Sequence, residues 1–253
     1  MLGSKRIAAS INNARKTGPA IIPFVTAGYP EKESFIGLIE ALSLCSDVIE
    51  IGVPFSDPMA DGVTIQRSSH MAIESGVKLS WIFDQLKLIQ INTPIVLMSY
   101  LNPLYVFGYN KLVKESKAAG VDGFIIPDLP IEEGDDLRQI LNSNDLGLIQ
   151  LVTPATPESR IKEIADKSSG FLYAVTIKGV TGGGQSLSGE VTTYLETVKS
   201  VSSIPVCAGF GVRSNDDVVL LEPFIDGVIV GSALVEAIEA GIDPTDFLNA
   251  LRN

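Results

Sequence analysis

Short apolar runs alternate along this chain with stretches in which apolar residues recur every three or four positions. The runs are Ala20–Thr26 (AIIPFVT), Val48–Val53, Pro94–Tyr100, Gly123–Pro127, Leu146–Val152, Phe171–Ile177, Ile204–Ala208 and Gly227–Val230. Most are bounded by Gly, Pro or Asp and are apolar on both faces, the mark of parallel strands covered on both sides. The intervening periodicity predicts helices over Lys32–Leu44, Leu79–Ile91, Lys111–Ala119, Glu132–Leu141, Pro157–Lys167, Val191–Val201, Asp216–Leu221 and Pro244–Leu251. Ser232–Ala240 reads as an extra short helix before the last one. Thr156 ahead of Pro157 predicts an N-cap with proline at the first helical position. Strand and helix alternate eight times with no linker, which predicts one α/β domain over residues 1–253. Eight units close a (β/α)8 TIM barrel more naturally than an open sheet. A doubly wound sheet would usually carry GxGxxG after its first strand, and TAGYPEKES does not.

Composition adds limits. The chain is 45% apolar, enough for a large core, and its length of 253 residues suits such a barrel. A net charge of −11 argues against nucleic acid or an anionic membrane as a partner. Any anionic ligand must therefore be held by local donors. The N-terminus MLGSKRIAAS has no long apolar core, and no apolar run approaches about 18 residues, so the expected location is the cytoplasm. Cys45 and Cys207 lie far apart in apolar settings and read as two buried thiols. His70, the only histidine, falls in a helical stretch, so no metal site is expected.

Chemistry concentrates in Asp47–Gly62, DVIEIGVPFSDPMADG. Glu50 interrupts an apolar strand, with Val48 and Gly52 on its own face and Ile49, Ile51 and Val53 on the other. A carboxylate there is expensive unless it is paired, hydrated or used. No Lys or Arg lies between Lys32 and Arg67. Asp57 and Asp61 follow in turn-forming sequence; taken alone, turn and helix capping is the better account of them. In a barrel, function gathers where strands enter the following loops. Glu50, Asp61, Tyr100 and Tyr173 all fall there, so two carboxylates and two tyrosines share one rim.

Glycines supply a second signal. Gly209-Phe210-Gly211 follows the seventh strand, and Gly231-Ser232 follows the eighth and opens the short helix. Backbone amides freed by glycine and by a helix N-terminus make an anion cup without a cation. Thr181-Gly182 after strand six can close it. The Gly-rich Gly179–Glu190, GVTGGGQSLSGE, reads as a lid over a ligand or as a solvated connector.

These segments resemble the tryptophan synthase α-subunit family. The resemblance is carried by PFVTAGYP at 23–30, IEIGVPFSDPMADGVTIQ at 49–66, LMSYLNP at 97–103, IIPDLP at 125–130, LYAVTIKGVTG at 172–182, AGFGV at 208–212 and IVGSALV at 229–235. It implies a lyase that cleaves indole-3-glycerol phosphate to indole and glyceraldehyde 3-phosphate by a retro-aldol reaction. Indole would pass to a β subunit in an α2β2 complex for L-tryptophan synthesis. The resemblance also implies pyridoxal phosphate on that partner and no cofactor on this chain. It makes Glu50 and Asp61 catalytic, and places Phe24, Ile65, Tyr100, Ile125, Tyr173 and Phe210 around the indole. Gly182, Gly211, Gly231 and Ser232 become phosphate contacts, and Thr181, Gly183 and Gly184 belong to the lid. Pro54, Asp57, Asn102 and Pro130 become the β-facing positions. One departure stands out: the family usually has an arginine shortly after the Thr-Gly of the sixth loop, where this chain has Gly183-Gly184-Gln185.

Overall fold

A computed structural model of the protein describes residues 3–175, 187–209 and 211–252. Eight parallel strands close a barrel in sequence order: β1 (Ala20–Thr26), β2 (Ile49–Gly52), β3 (Ile95–Met98), β4 (Val121–Ile125), β5 (Gly147–Val152), β6 (Leu172–Val175), β7 (Val206–Gly209) and β8 (Gly227–Val230). β8 returns to pair with β1, so no edge is left exposed. The expected (β/α)8 architecture is the observed one.

Strand parity splits the core in two. Ile21, Val25, Ile49, Ile51, Leu97, Phe124, Leu148 and Val228 point outward into the layer between sheet and helices. Ala20, Ile22, Phe24, Val48, Val96, Ile125, Ile149, Phe171, Cys207 and Ile229 fill the barrel itself. Glu50 has the inward parity of Val48, as the alternation along β2 requires.

The helices on the outside are α2 (Phe35–Ser43), α3 (Val63–Glu74), α4 (Leu79–Leu86), α5 (Leu101–Phe107), α6 (Tyr109–Ala118), α7 (Asp135–Asn142), α8 (Glu158–Lys167), α9 (Gly189–Val201), α10 (Asn215–Leu221), α11 (Ser232–Glu239) and α12 (Pro244–Ala250). The extra helix α11 stands before the last, as the periodicity predicts. His70 is exposed on α3, 3.4 Å from Glu74. Both cysteines are free thiols; Cys207 is fully buried, whereas Cys45 is only half-buried.

Three local expectations need correction. Pro157 is the N-cap of α8, not its first residue, with extended backbone angles, and Thr156 instead accepts a hydrogen bond from the Thr153 amide through Oγ1 at 3.0 Å. β4 starts at Val121, ahead of the apolar run. Asp122 hides this start, because its carboxylate is used inside the sheet: it accepts the Ile95 amide at 3.0 Å and pairs with Arg6 at 2.7 Å. The helix over 79–91 stops at Leu86; Leu88 and Ile89 then turn back on the carbonyls of Gln85 and Leu86.

The pattern also leaves two helices unassigned, α1 (Gly3–Ala14) and α5, and gives α3 no bounds beyond the helical setting of His70. α1 seals the N-terminal mouth of the barrel. Its stripe Ile7, Ile11 and Ala14 is buried against the barrel interior. Ile7 stands over Gly123 and Gly170, where a Cβ would come within 3.2 and 3.1 Å of it. Below the strands Asp47 and Asp226 repeat the role of Asp122, accepting the amides of Ile21 and Val206, each at 2.8 Å. Features at this end of a barrel serve stability. Ile7→Ala should therefore destabilise the protein by about 2–5 kcal/mol, the usual result of emptying a fully buried aliphatic site. Urea unfolding at constant pH measures it; a loss within about 0.5 kcal/mol would mean that α1 does not seal the core.

Candidate active site

The opposite mouth holds a cavity of about 260 Å³, lined from β1, β2, β3, β5, β6, β7 and β8 and their loops. Glu50 stands at its floor, wholly buried. Neither Oε1 nor Oε2 meets a hydrogen-bond partner among the described residues. Burial first, and the charge of Asp61 second, push its pKa from 4.5 up to about 8. Phe24 pairs with Glu50 across β1 and β2, and its ring lies over Gly52, where any Cβ would come within 2.4 Å of it. Glycine at 52 is thus a requirement of the Phe24 ring.

Asp61 lies on the β2–α3 loop at the cavity wall and is half-buried. Tyr100, the N-cap of α5, sets this loop. Its hydroxyl accepts the Ala60 amide at 2.8 Å, and its ring stacks on Phe55 with centroids 5.0 Å apart. Burial raises the pKa of Asp61, and a hydrogen bond from Tyr100 opposes the rise. Tyr100 itself is pushed up to about 12, chiefly by burial.

Tyr173 forms another wall. Its ring fills the space beside Gly209, where a Cβ would approach Cε2 and the hydroxyl to 2.8 Å. Its pKa is well above the ordinary value through burial and the neighbouring Glu50. Gly211, Gly231 and Ser232 line the remaining side. Gly211 has φ +66°, a conformation that glycine adopts without strain. Gly231 caps α11, whose first carbonyl-directed amides are those of Leu234 and Val235 to Gly231 at 2.9 and 3.1 Å. The amides of Ser232 and Ala233 therefore have no intrahelical acceptor, and both residues line the cavity.

The expected site residues thus divide. Glu50, Asp61, Phe24, Ile65, Tyr173, Gly211, Gly231 and Ser232 meet at one cavity. Tyr100 and Ile125 are buried but do not line it: Tyr100 acts from behind the Asp61 loop, and Ile125 packs within the barrel. Pro54, Asp57, Asn102 and Pro130 stand apart from the cavity, on the loops after β2 and β4 and in the first turn of α5, with Asp57, Asn102 and Pro130 exposed. Phe210, Thr181, Gly182, Gly183 and Gly184 lie outside the described residues. The pattern reading missed the apolar lining from Met98, Leu151 and Ile229, which share the inward parity of Val96, Ile149 and Gly227. That parity was the available signal. Among the described residues no group of His, Cys, Asp and Glu has the arrangement of a metal site, and no helix is long and apolar enough to cross a membrane.

A closed parallel barrel with a desolvated acid at the carboxyl ends of its strands defines an α/β-barrel enzyme. The model of the family "Tryptophan synthase alpha chain" matches residues 11–250. The chain belongs to this family. It is 43% identical to the tryptophan synthase alpha chain of Nitratidesulfovibrio vulgaris, covering 98% of both, and 43% identical to that of Bacillus anthracis, covering 94% of this chain and 92% of the relative. Among solved structures it resembles a chain of the tryptophan synthase α2β2 complex from Pyrococcus furiosus, with TM-score 0.85, 38% identity and coverage of 92% of this chain and 97% of the other. A chain of tryptophan synthase from M. tuberculosis superposes with TM-score 0.88 at 32% identity, covering 98% of this chain and 97% of that one.

A carboxyl whose folded-state pKa lies above its unfolded value favours folding most fully below the unfolded value, here 4.5, and that contribution is lost as pH rises through about 8. Glu50→Gln removes the titration. The variant should be more stable than the parent by roughly 2–4 kcal/mol at pH 8.5, with the gap closing toward pH 5. Paired urea melts at the two pH values test this, and a constant gap would mean that water reaches Glu50 in the folded protein.

Proposed function

We propose that this chain is the lyase subunit of a tryptophan synthase, cleaving indole-3-glycerol phosphate to indole and glyceraldehyde 3-phosphate. The observation that carries the reading is Glu50: a carboxyl with no partner among the described residues, protonated near neutral pH, at the floor of a cavity with apolar walls. Indole offers one N–H and an apolar plane, and suits walls made by Phe24, Ile65, Leu151 and Ile229. Phe210 belongs to the same wall on the sequence motif alone.

Cleavage begins when the acid Glu50 gives its proton to indole C3, making the indolenine tautomer. Asp61, as carboxylate, accepts the N1–H and stabilises the positive charge that develops there. Glu50, now the base, takes the proton from the C3′ hydroxyl. The oxygen forms the aldehyde carbonyl, the C3–C3′ bond breaks, and its electron pair returns to the ring to restore indole. Protons and electrons balance with no cofactor on this chain. The phosphate sits against the Ser232 and Ala233 amides and Gly211; on the sequence motif alone, Gly182 joins these contacts and Thr181, Gly183 and Gly184 belong to the lid.

The product indole goes to a β subunit that carries pyridoxal phosphate. The loops after β2 and β4 and the first turn of α5, bearing Pro54, Asp57, Pro130 and Asn102, face that partner. Exposed Met59, Val63, Tyr105 and Val106 in the same region supply apolar area for it. The assembly is an α2β2 complex working in the cytoplasm.

The test is indole release from indole-3-glycerol phosphate, with and without a β subunit. Glu50→Gln should cut release at least about 100-fold while substrate binding stays near the parent's. Parent turnover in that variant would remove Glu50 from the mechanism. Because the first step needs the protonated carboxyl, kcat/KM should fall as pH rises past about 8, by about tenfold per unit at the limit. A flat profile to pH 9.5 would show that another group supplies the proton.

A further inference from the structure

The cavity is assembled from separate loops, and one side chain outside it stands on the continuation of one and touches those of two others. Glu236 lies on α11, one turn beyond Ser232. Its Oε1 accepts a hydrogen bond from Thr64 Oγ1 at 3.0 Å, and its Oε2 accepts one from Arg213 Nη1 at 2.8 Å. Thr64 is in the first turn of α3, three residues after Asp61, and Arg213 is two residues after Gly211. Asp61, Gly211 and Ser232 all line the cavity. We propose that Glu236 is a positioning residue that holds the Asp61 loop, the lip after β7 and the head of α11 in one geometry, so that phosphate recognition and Asp61 stay in register. This rests on the phosphate-binding reading above.

Chemistry favours this role over surface decoration. The side chain is used at both oxygens, by partners from different loops. The Arg213 guanidinium holds the Glu236 carboxyl below its ordinary pKa, so it is an anion at every working pH. Gly211, with its left-handed backbone, and Gly231 give the two lips no stiffness of their own. A second clasp lies one turn further along α11, where Glu239 accepts from Arg67 of α3 at 2.6 and 2.7 Å and from the Tyr29 hydroxyl. It anchors the far end of α11 but reaches neither the Gly211 lip nor the Asp61 loop, so it is an internal control. Exposed ion pairs add little to stability, so loss of either clasp should leave the fold intact.

The experiment uses the full chain and titrates glycerol 3-phosphate and inorganic phosphate by calorimetry, with melting temperature and steady-state indole release alongside. Glu236→Gln keeps an acceptor for Thr64 but loses the charge facing Arg213. It and Arg213→Ala should each weaken phosphate binding and raise KM about fivefold, and the double variant should be no weaker than either single. Thr64→Val should instead lower kcat about fivefold at near-parental phosphate affinity, because it frees the Asp61 side only. Arg67→Ala should leave affinity and kcat within about twofold of the parent. Parental values in Glu236→Gln, additive losses in the double variant, or an equal loss in Arg67→Ala would overturn the proposal. The titration needs no turnover. If the parent binds phosphate but releases no indole, the lyase reading falls and the bridge is still decided; if the parent binds neither probe, the bridge falls too.

Discussion

Everything at the open mouth depends on the desolvation of one carboxyl. Glu50 is wholly buried at the cavity floor, and its oxygens have no donor among the described residues, so the proton is retained to about pH 8. The filled interior of the closed barrel provides that environment. If water reached this face of β2, the acid would revert toward 4.5. Closure in turn requires small residues where large ones meet: Gly52 under Phe24, Gly209 beside Tyr173, and Gly123 beneath Ile7. The packing of the barrel and the acidity of Glu50 are one physical fact seen from two ends.

Two carboxyls within twelve residues acquire opposite tasks through their surroundings. Glu50 sits on a strand with no polar neighbour to stabilise its charge. Asp61 sits on a loop that water partly reaches, and Tyr100 donates to it while receiving the Ala60 amide. A desolvated acid and a partly solvated carboxyl held by Tyr100 face one cavity. The charge on Asp61 is also the second cause of the raised Glu50 pKa, so ionisation of the loop residue helps to keep the strand residue protonated.

How far the sequence carries follows from what period and parity can report. β1 and β8 match their apolar runs to the residue, and the inward placement of Glu50 follows from alternation with Val48 and Gly52. The start of β4 was hidden because Asp122 serves the sheet with its side chain, which a hydropathy pattern scores as a break. α1 escaped because its mean character is polar and its information lies in three positions, Ile7, Ile11 and Ala14. The role of Tyr100 was illegible for a different reason. Its work is a hydrogen bond to a residue forty positions earlier, and no local pattern encodes which loop a hydroxyl will meet. The motif residues that converge are those placed by strand ends. Residues set by loop-to-loop contacts, such as Glu236 with Thr64 and Arg213, carry no such mark.

The acidic charge of the chain and its reading as a phosphate binder are reconciled by the same constraint. Among the described residues, no Lys, Arg or His lines the cavity. A full positive charge there would bind phosphate, but at these distances it would also stabilise ionised Glu50 and lower its pKa. The unpaired amides at the head of α11 attract an anion with only about half a unit of charge, delivered over the first turn. Among the described residues, the Arg213 guanidinium close by is engaged by Glu236 outside the cavity. An anion held by such a cup adds negative potential beside Glu50, which favours the protonated carboxyl further. A site whose acid must stay neutral until substrate arrives is therefore better served by amide dipoles than by cations, and ligand binding itself strengthens the protonation state that the first chemical step requires.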